Sequence, residues 1–306
     1  MKICILYGGT STEREVSLNT GKSIYNAICD DYVIVMHDWN GDYQLMYDVV
    51  KGVDLVFIAL HGGDGEDGTV QKYLESKRIK FTGSSSLASK KAMDKNISKL
   101  LCVKQDIPTP NWIMIKRSEN IKFDDLIKPL RVQSADSIFE SVVVKPNNEG
   151  SSIGVSILSW SNPNCEKVIA NAIVQNESIM IESFIHGREL TVSILDNKVL
   201  PIIEIIPRGN YYDYKCKYTK FQSDYVVPAE IDEKIQKLLS SYSLKIHKLI
   251  GCGAYSRSDF RLSKDGKIYF LEINTLPGFT DTSLFPKSAK AAGLKYKDLI
   301  KKIIEN

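Results

Sequence analysis

The chain of 306 residues is long enough for roughly two or three domains, and its 43% hydrophobic and 25% charged residues are those of a folded globular protein. Its 40 basic and 37 acidic residues leave a formal charge of +3, which gives no reason to expect nucleic acid or an acidic membrane as a partner. Cys4, Cys29, Cys102, Cys165, Cys216 and Cys252 form no CxxC and no zinc-spaced cluster, so they read as reduced thiols of a cytoplasmic protein. The apolar run in "MKICILYGG" is too short for a signal peptide, and no stretch reaches the roughly 18 apolar residues of a membrane span.

"KICILYGG" predicts a buried strand and a Gly-rich turn, followed by a helix from about Ser17. "YVIVMHDW" and "VDLVFIALHGGDGEDG" predict two further strands, the second ending in another Gly/Asp loop. Strands alternating with helices imply a parallel sheet, whose ligands sit beyond the carboxyl ends of the strands. Both Gly-rich loops lie there. A helix is predicted from near Ala88 through "KKAMDKNISKLLCVKQD", ended by the prolines of "IPTPNW". A charged helical stretch is expected from about Phe123, and "EKVIANAIVQN" has helical spacing. "IMIESFI", "RELTVSIL" and "KVLPIIEIIP" read as strands, and "YYDYKCKYTKFQSDYVVP" as a polar, tyrosine-rich loop. An amphipathic helix follows with Ile235, Leu238, Leu239, Tyr242 and Ile246 on one face and Gly251 as its stop. A hairpin turning on Asp265-Gly266 and one terminal helix with a solvated lysine face complete the chain.

Two stretches carry chemistry. In "VVVKPNNEGSSIGVSIL" (142–158) a strand ends in Lys145 and opens into a loop of Asn, Gly and Ser, then returns to a strand. Such a loop lets backbone N–H groups approach an anion, although an ordinary surface hairpin is equally compatible. The return to a strand excludes the strand–loop–helix phosphate motif. In the hairpin from Arg257 to Asn274, Arg257 and Asp259 share a face, as do Glu272 and Asn274. Three oxygen donors therefore converge, suited to Mg²⁺, unless the face is only solvated and Arg257 pairs with Asp259. Together the two stretches imply nucleoside triphosphate chemistry.

The chain resembles the D-alanine–D-alanine ligases of the ATP-grasp superfamily over nearly its whole length. The resemblance is carried in order by "GGTSTEREVS", "HGGDGEDGTVQ", "GS…MDK", "VKPNNEGSSIGV", "YYDYKCKY", "R.D" and "LEINTLPGFTDTSL". It implies an α/β ATP-grasp fold: a Rossmann-like domain (1–93), a central ATP-grasp subdomain (94–178) and a C-terminal catalytic domain (179–306). The implied reaction joins two D-alanines through an acyl phosphate, with ATP consumed, for peptidoglycan precursors and hence cell-wall biogenesis. The resemblance implies ATP and two Mg²⁺ or Mn²⁺ ions on Asp259, Glu272 and Asn274, and leaves a K⁺ requirement open. Glu13 would anchor the first D-alanine, with Ser151 and Tyr218 tying a mobile loop to it. His61 would lie near that substrate, and Arg257 would stabilise the tetrahedral oxyanion. Lys95, Lys145, Lys217 and the Ser151–Ser152 loop would contact phosphates. Glu182, Phe184, Ile185 and Glu189 would hold the adenosine. Ser283, Leu284 and the Gly278 backbone would receive the second D-alanine. A homodimer is implied, with no nucleic-acid or membrane partner. Ser183 stands where the family often has Lys, and Lys215 and Cys216 are unusual in the covering loop. Alternatives are a D-alanine–D-serine ligase, another carboxylate–amine ligase or a nucleotide-binding regulator without catalysis.

Overall fold

The computed structural model describes residues 1–117, 141–208, 223–280 and 282–306. The helical stretch expected near Phe123 and the covering loop with Lys215, Cys216, Lys217 and Tyr218 lie outside these residues.

The first unit is a parallel sheet in the order β2 (Val33–Trp39), β1 (Lys2–Gly8), β3 (Leu55–Ile58). The near-continuous apolar run of β1 reflects burial on both faces. Ile3 and Ile5 pack with Ile24 and Ile28 of α1 (Arg14–Ile28), whereas Cys4 and Leu6 pack with Met46 of α2 (Tyr43–Val50) and Leu74 of α3 (Thr69–Ser76). Full burial of each such aliphatic side chain contributes about 1.5–3 kcal/mol.

The expected long helix from Ala88 is two helices, α4 (Ser86–Met93) and α5 (Lys95–Val103). Asp94 breaks them: its extended backbone ends α4 while its side chain accepts the Ile97 N–H at 2.9 Å and caps α5.

The second unit is a four-stranded antiparallel sheet in the order β4 (Trp112–Lys116), β7 (Ser178–Ser183), β5 (Ser141–Pro146), β6 (Ser156–Ser159). One face of this sheet buries Val142, Val144, Ile179 and Ile181 against α6 (Cys165–Gln175). Strands β5 and β6 form the expected Gly/Ser hairpin.

The third unit is a six-stranded antiparallel sheet. Its main path runs β11 (Ser223–Val226), β10 (Ile203–Pro207), β8 (Gly187–Leu195), β12 (Tyr255–Ser263), β13 (Ile268–Asn274), and β9 (Lys198–Val199) pairs with β8. The "SDYV" part of the expected polar loop is thus strand β11, because it pairs with β10. Helix α7 (Glu233–Ile250) covers the sheet through Leu239 and Ile246, and Gly251 ends it as expected. Leu238, expected on the buried face, is instead 37% exposed, because it precedes Leu239 and points away from the sheet. The expected terminal helix is also two, α8 (Leu284–Ala291) and α9 (Tyr296–Ile304), interrupted at Gly293. Helix α9 packs back onto the first sheet through Leu299, Ile300 and Ile303. Its lysines are more than a solvated face: Lys297 and Lys301 reach Asp31 at 2.7 and 2.9 Å, and Lys302 reaches Asp196 at 2.9 Å.

Two contacts lock the first and third units together. Phe279 meets Phe57, Tyr255 and Phe285 edge-on, with ring centroids 5.8, 5.2 and 5.6 Å apart. Beside it the backbones touch: a Cβ on Gly253 would lie 2.1 Å from the Gly83 carbonyl oxygen. Gly253→Ala is expected to cost about 1–3 kcal/mol through overpacking against backbone, read as a lower thermal midpoint. The loops after β1 and β3 are thereby fixed over the β12–β13 hairpin.

Candidate active site

Two clefts meet above that hairpin. The first, of about 1000 Å³ including its open mouth, is lined by Glu13, His61, Ser151, Arg257, Ser283 and Leu284 among others. The second, of about 870 Å³, is lined by Lys145, Ser152, Glu182, Phe184, Ile185 and Glu189 among others. Lys95, Glu149 and Glu272 line both. A group bound in one cleft can therefore touch a group bound in the other.

In the first cleft, Glu13 is buried at 3% exposure just before α1, its carboxylate accepting a hydrogen bond from the Ser151 hydroxyl. This contact joins residues 138 positions apart and ties the Gly/Ser hairpin to the first unit. His61 is fixed on every side. Its backbone N–H donates to Ser17 Oγ at 2.8 Å, Nε2 lies 3.0 Å from Thr20 Oγ1, and Nδ1 lies 3.3 Å from Glu66 Oε1. At the other end Ser283 opens α8, and Leu284 is buried against Ile203 and Ile205. A Cβ on Gly278 would come within 2.8 Å of Ser283 Oγ, so glycine keeps this approach to the helix N-terminus open.

In the second cleft, the Lys145 and Lys99 ammonium groups donate to the two oxygens of Glu182, at 2.5 and 2.6 Å. Burial works to raise the Glu182 carboxyl, but the two lysines outweigh it and hold the group below its ordinary value. Burial pushes Lys99 down to about 8, and it also lowers Lys95 against the pull of Glu272 at 3.4 Å. The Arg261 guanidinium stands 5.1 Å over the Phe184 ring and 3.5 Å from Glu189. Ser151 and Ser152 adopt φ of +53° and +60°, unusual for residues with a Cβ.

The hairpin places its donors as the alternation requires. Arg257 pairs in register with Asn274, and Asp259 with Glu272. A bulge after Asp259 leaves Leu271 over, so Leu271 and Glu272 both line the second cleft while Phe260 and Phe270 enter the core. Arg257 grips Asp259 with two bonds of 3.0 and 2.8 Å, and Thr191 donates to the same carboxylate at 2.5 Å. Asn274 Oδ1 accepts the Leu276 N–H at 2.7 Å. Among the described residues no three His, Cys, Asp or Glu gather as a metal cage. Asp259 in the second cleft, Glu272 at the seam and Asn274 in the first cleft are oxygen donors of the kind that suits a hard ion keeping water and phosphate oxygens as its other ligands.

The family description "D-ala D-ala ligase C-terminus" matches residues 101–305, and "D-ala D-ala ligase N-terminus" matches residues 44–84. The chain belongs to the D-alanine–D-alanine ligase family. A D-alanine–D-alanine ligase of Aquifex aeolicus (strain VF5) is 40% identical over 99% of this chain and 100% of its own length. The Bacillus anthracis ligase crystallised with ATP superposes with a TM-score of 0.85 at 35% identity, covering 100% of this chain and 96% of that one. The VanG D-Ala:D-Ser ligase of Enterococcus faecalis superposes with a TM-score of 0.81 at 27% identity, covering 99% and 98%. With these relatives the α/β ATP-grasp fold is the fold of this chain.

Of the residues singled out by resemblance to the ligase family, the fold gathers Glu13, His61, Ser151, Arg257, Asn274, Gly278, Ser283 and Leu284 in the first cleft. It gathers Lys145, Ser152, Glu182, Phe184, Ile185, Glu189 and Asp259 in the second, with Lys95 and Glu272 at the seam. Lys217 and Tyr218 lie outside the described residues. Sequence reasoning missed Lys99, Glu66, Thr20, Glu149 and Thr191. A signal existed for Lys99. Lys95, Ser98, Lys99 and Cys102 recur at i, i+3, i+4 and i+7, so both lysines fall on the buried face of α5.

Proposed function

We propose that this ligase joins two D-alanines to D-alanyl-D-alanine, converting ATP to ADP and phosphate. The observation that carries this reading is the seam: Lys95, Glu149 and Glu272 line both clefts, so a carboxylate in one meets a phosphate in the other. Glu13 receives the ammonium of the first D-alanine. A carboxylate oxygen of that D-alanine attacks the γ-phosphorus, giving D-alanyl phosphate and ADP. The amine of the second D-alanine, placed by Ser283 and the start of α8, attacks the acyl carbon. Arg257 faces the oxyanion that forms, and the bond to phosphate breaks as the amide is completed. The tie between Ser151 and Glu13 keeps water from the acyl phosphate. Asp259, Glu272 and Asn274 would hold Mg²⁺ or Mn²⁺, which when bound neutralises the phosphate oxygens.

Purified protein with ATP and Mg²⁺ is expected to release ADP with D-alanine and not with L-alanine. Removing divalent ions with a chelator should abolish that release, and Mg²⁺ or Mn²⁺ should restore it. ADP release that survives chelation would remove the metal assignment. Running the assay with and without K⁺ tests that ion.

The likeness to a D-Ala:D-Ser ligase favours one second reading, D-serine as acceptor. Leu284 opposes it, because its apolar side chain offers a serine hydroxyl no hydrogen bond. Product masses with mixed D-alanine and D-serine decide between them. The three-domain division is kept as a proposal with the second boundary moved past Ser183, since β7 is an inner strand of the second sheet. A cytoplasmic homodimer serving cell-wall synthesis completes the proposal; among the described residues no helix is long and apolar enough to cross a membrane.

A further inference from the structure

Lys99 lines neither cleft, yet it is fully buried, with 0% exposure, directly behind the nucleotide cleft. Its ammonium donates to Glu182 Oε2 at 2.6 Å and to the Pro110 carbonyl at 3.2 Å, and stands 5.0 Å over the Trp112 ring. The other oxygen of Glu182 accepts from Lys145 at 2.5 Å. One buried carboxylate thus has two cations, Lys145 on the side of the cleft and Lys99 behind it.

A structural ion pair needs one cation for one carboxylate. A second buried ammonium is costly to desolvate, and the lowered value of Lys99 reflects that cost. It becomes useful when a polyanion enters. If Lys145 were the sole partner of Glu182, drawing its ammonium onto a phosphate would strand a buried carboxylate, which is strongly unfavourable. With Lys99 held in place by Pro110 and Trp112, Glu182 stays paired.

We infer that Lys99 is a positioning residue for nucleotide binding: it holds Glu182 from behind, so that the Lys145 ammonium can move from Glu182 to the phosphates of a nucleoside triphosphate. This rests on the nucleotide assignment of the second cleft given above. Neither Lys99 nor its partnership with Glu182 emerges from the motifs that carried the resemblance.

The test combines Lys99→Met, Lys99→Arg, Glu182→Gln and the double variant Lys99→Met/Glu182→Gln, with ATP affinity measured by titration and both KM values by steady-state rates. Lys99→Met is expected to weaken ATP affinity and raise its KM about tenfold or more, with the KM for D-alanine within about threefold. Lys99→Arg should restore ATP affinity to within about threefold, because it keeps the charge. In the Glu182→Gln background no carboxylate needs a counter-ion, so adding Lys99→Met should cost less than about threefold. An equal loss in both backgrounds, or a folded Lys99→Met protein that binds ATP like the parent, would overturn the inference. Should Lys99→Met not fold, the double variant compared with Glu182→Gln still decides: a tenfold loss there contradicts the proposed role. ADP release by the parent protein is the separate control. Its absence would remove the nucleotide reading itself, whereas unchanged ATP binding in Lys99→Met removes only the role of Lys99.

Discussion

Arg257→Met is expected to lower kcat about 10²–10³-fold while leaving the KM for ATP close to that of the parent. The guanidinium lies in the first cleft, clamped on Asp259 by bonds of 3.0 and 2.8 Å, and is 12% exposed. That clamp fixes its orientation, so in the proposed second step its charge would act on the oxyanion with little reorganisation. Loss of the cation beside the buried Asp259 is expected to lower the thermal midpoint, while Thr191 still donates to that carboxylate, so a melt of the variant accompanies the rates. Steady-state rates at saturating ATP check this. A drop in ATP affinity equal to the drop in kcat would mean that Arg257 serves Asp259 and the metal site, and not the second chemical step.

The second large effect concerns Glu13. Its side chain is 3% exposed, accepts a hydrogen bond from Ser151 and lines the first cleft. Glu13→Gln keeps the shape and the hydrogen bond but removes the carboxylate that, in the proposed reaction, would meet the ammonium of the first D-alanine. Truncating one side of a buried charge pair costs about 2–5 kcal/mol, which is about 30-fold to several-thousand-fold in kcat/KM for the first D-alanine. ATP binding, measured by titration without D-alanine, should change little, because Glu13 does not line the nucleotide cleft. Ser151→Ala should give a smaller loss of about tenfold, since it removes only the tie and not the charge. Comparable effects of Glu13→Gln on both substrates would show that the residue acts through the hairpin.

Legibility in the sequence followed the range of the interactions. Periodicity placed β1, β2 and β3, the Gly/Ser hairpin and the β12–β13 pair, because each needs only its own alternation and turn. The junctions at Asp94 and Gly293 were missed: a single capping aspartate and a single glycine do not interrupt an otherwise helical pattern. Strand β11 was read as loop because its four residues become a strand only by pairing with β10. Within the site, the motifs covered Glu13, His61, Lys95, Lys145, Ser151, Arg257, Asp259, Glu272 and Ser283, at strand ends and loops with distinctive composition, whereas Glu182, Phe184, Ile185 and Glu189 lie in none of them. Motifs could not give the partners. Glu182 was recognisable as an acid on a strand, whereas its capture between Lys99 and Lys145 joins positions 83 and 37 residues away. Thr20 and Glu66 around His61 were hidden for the same reason, as ordinary helix and loop residues until the fold brings them together.

The most direct test of the two-step reading follows an oxygen atom. D-alanine labelled with oxygen-18 in its carboxylate is incubated with the protein, ATP and Mg²⁺, and the phosphate and dipeptide are analysed by mass. If the carboxylate attacks the γ-phosphorus and the amine then displaces phosphate, one labelled oxygen per turnover appears in inorganic phosphate, matched by one D-alanyl-D-alanine. Unlabelled phosphate, or ADP release with no dipeptide, would contradict the account.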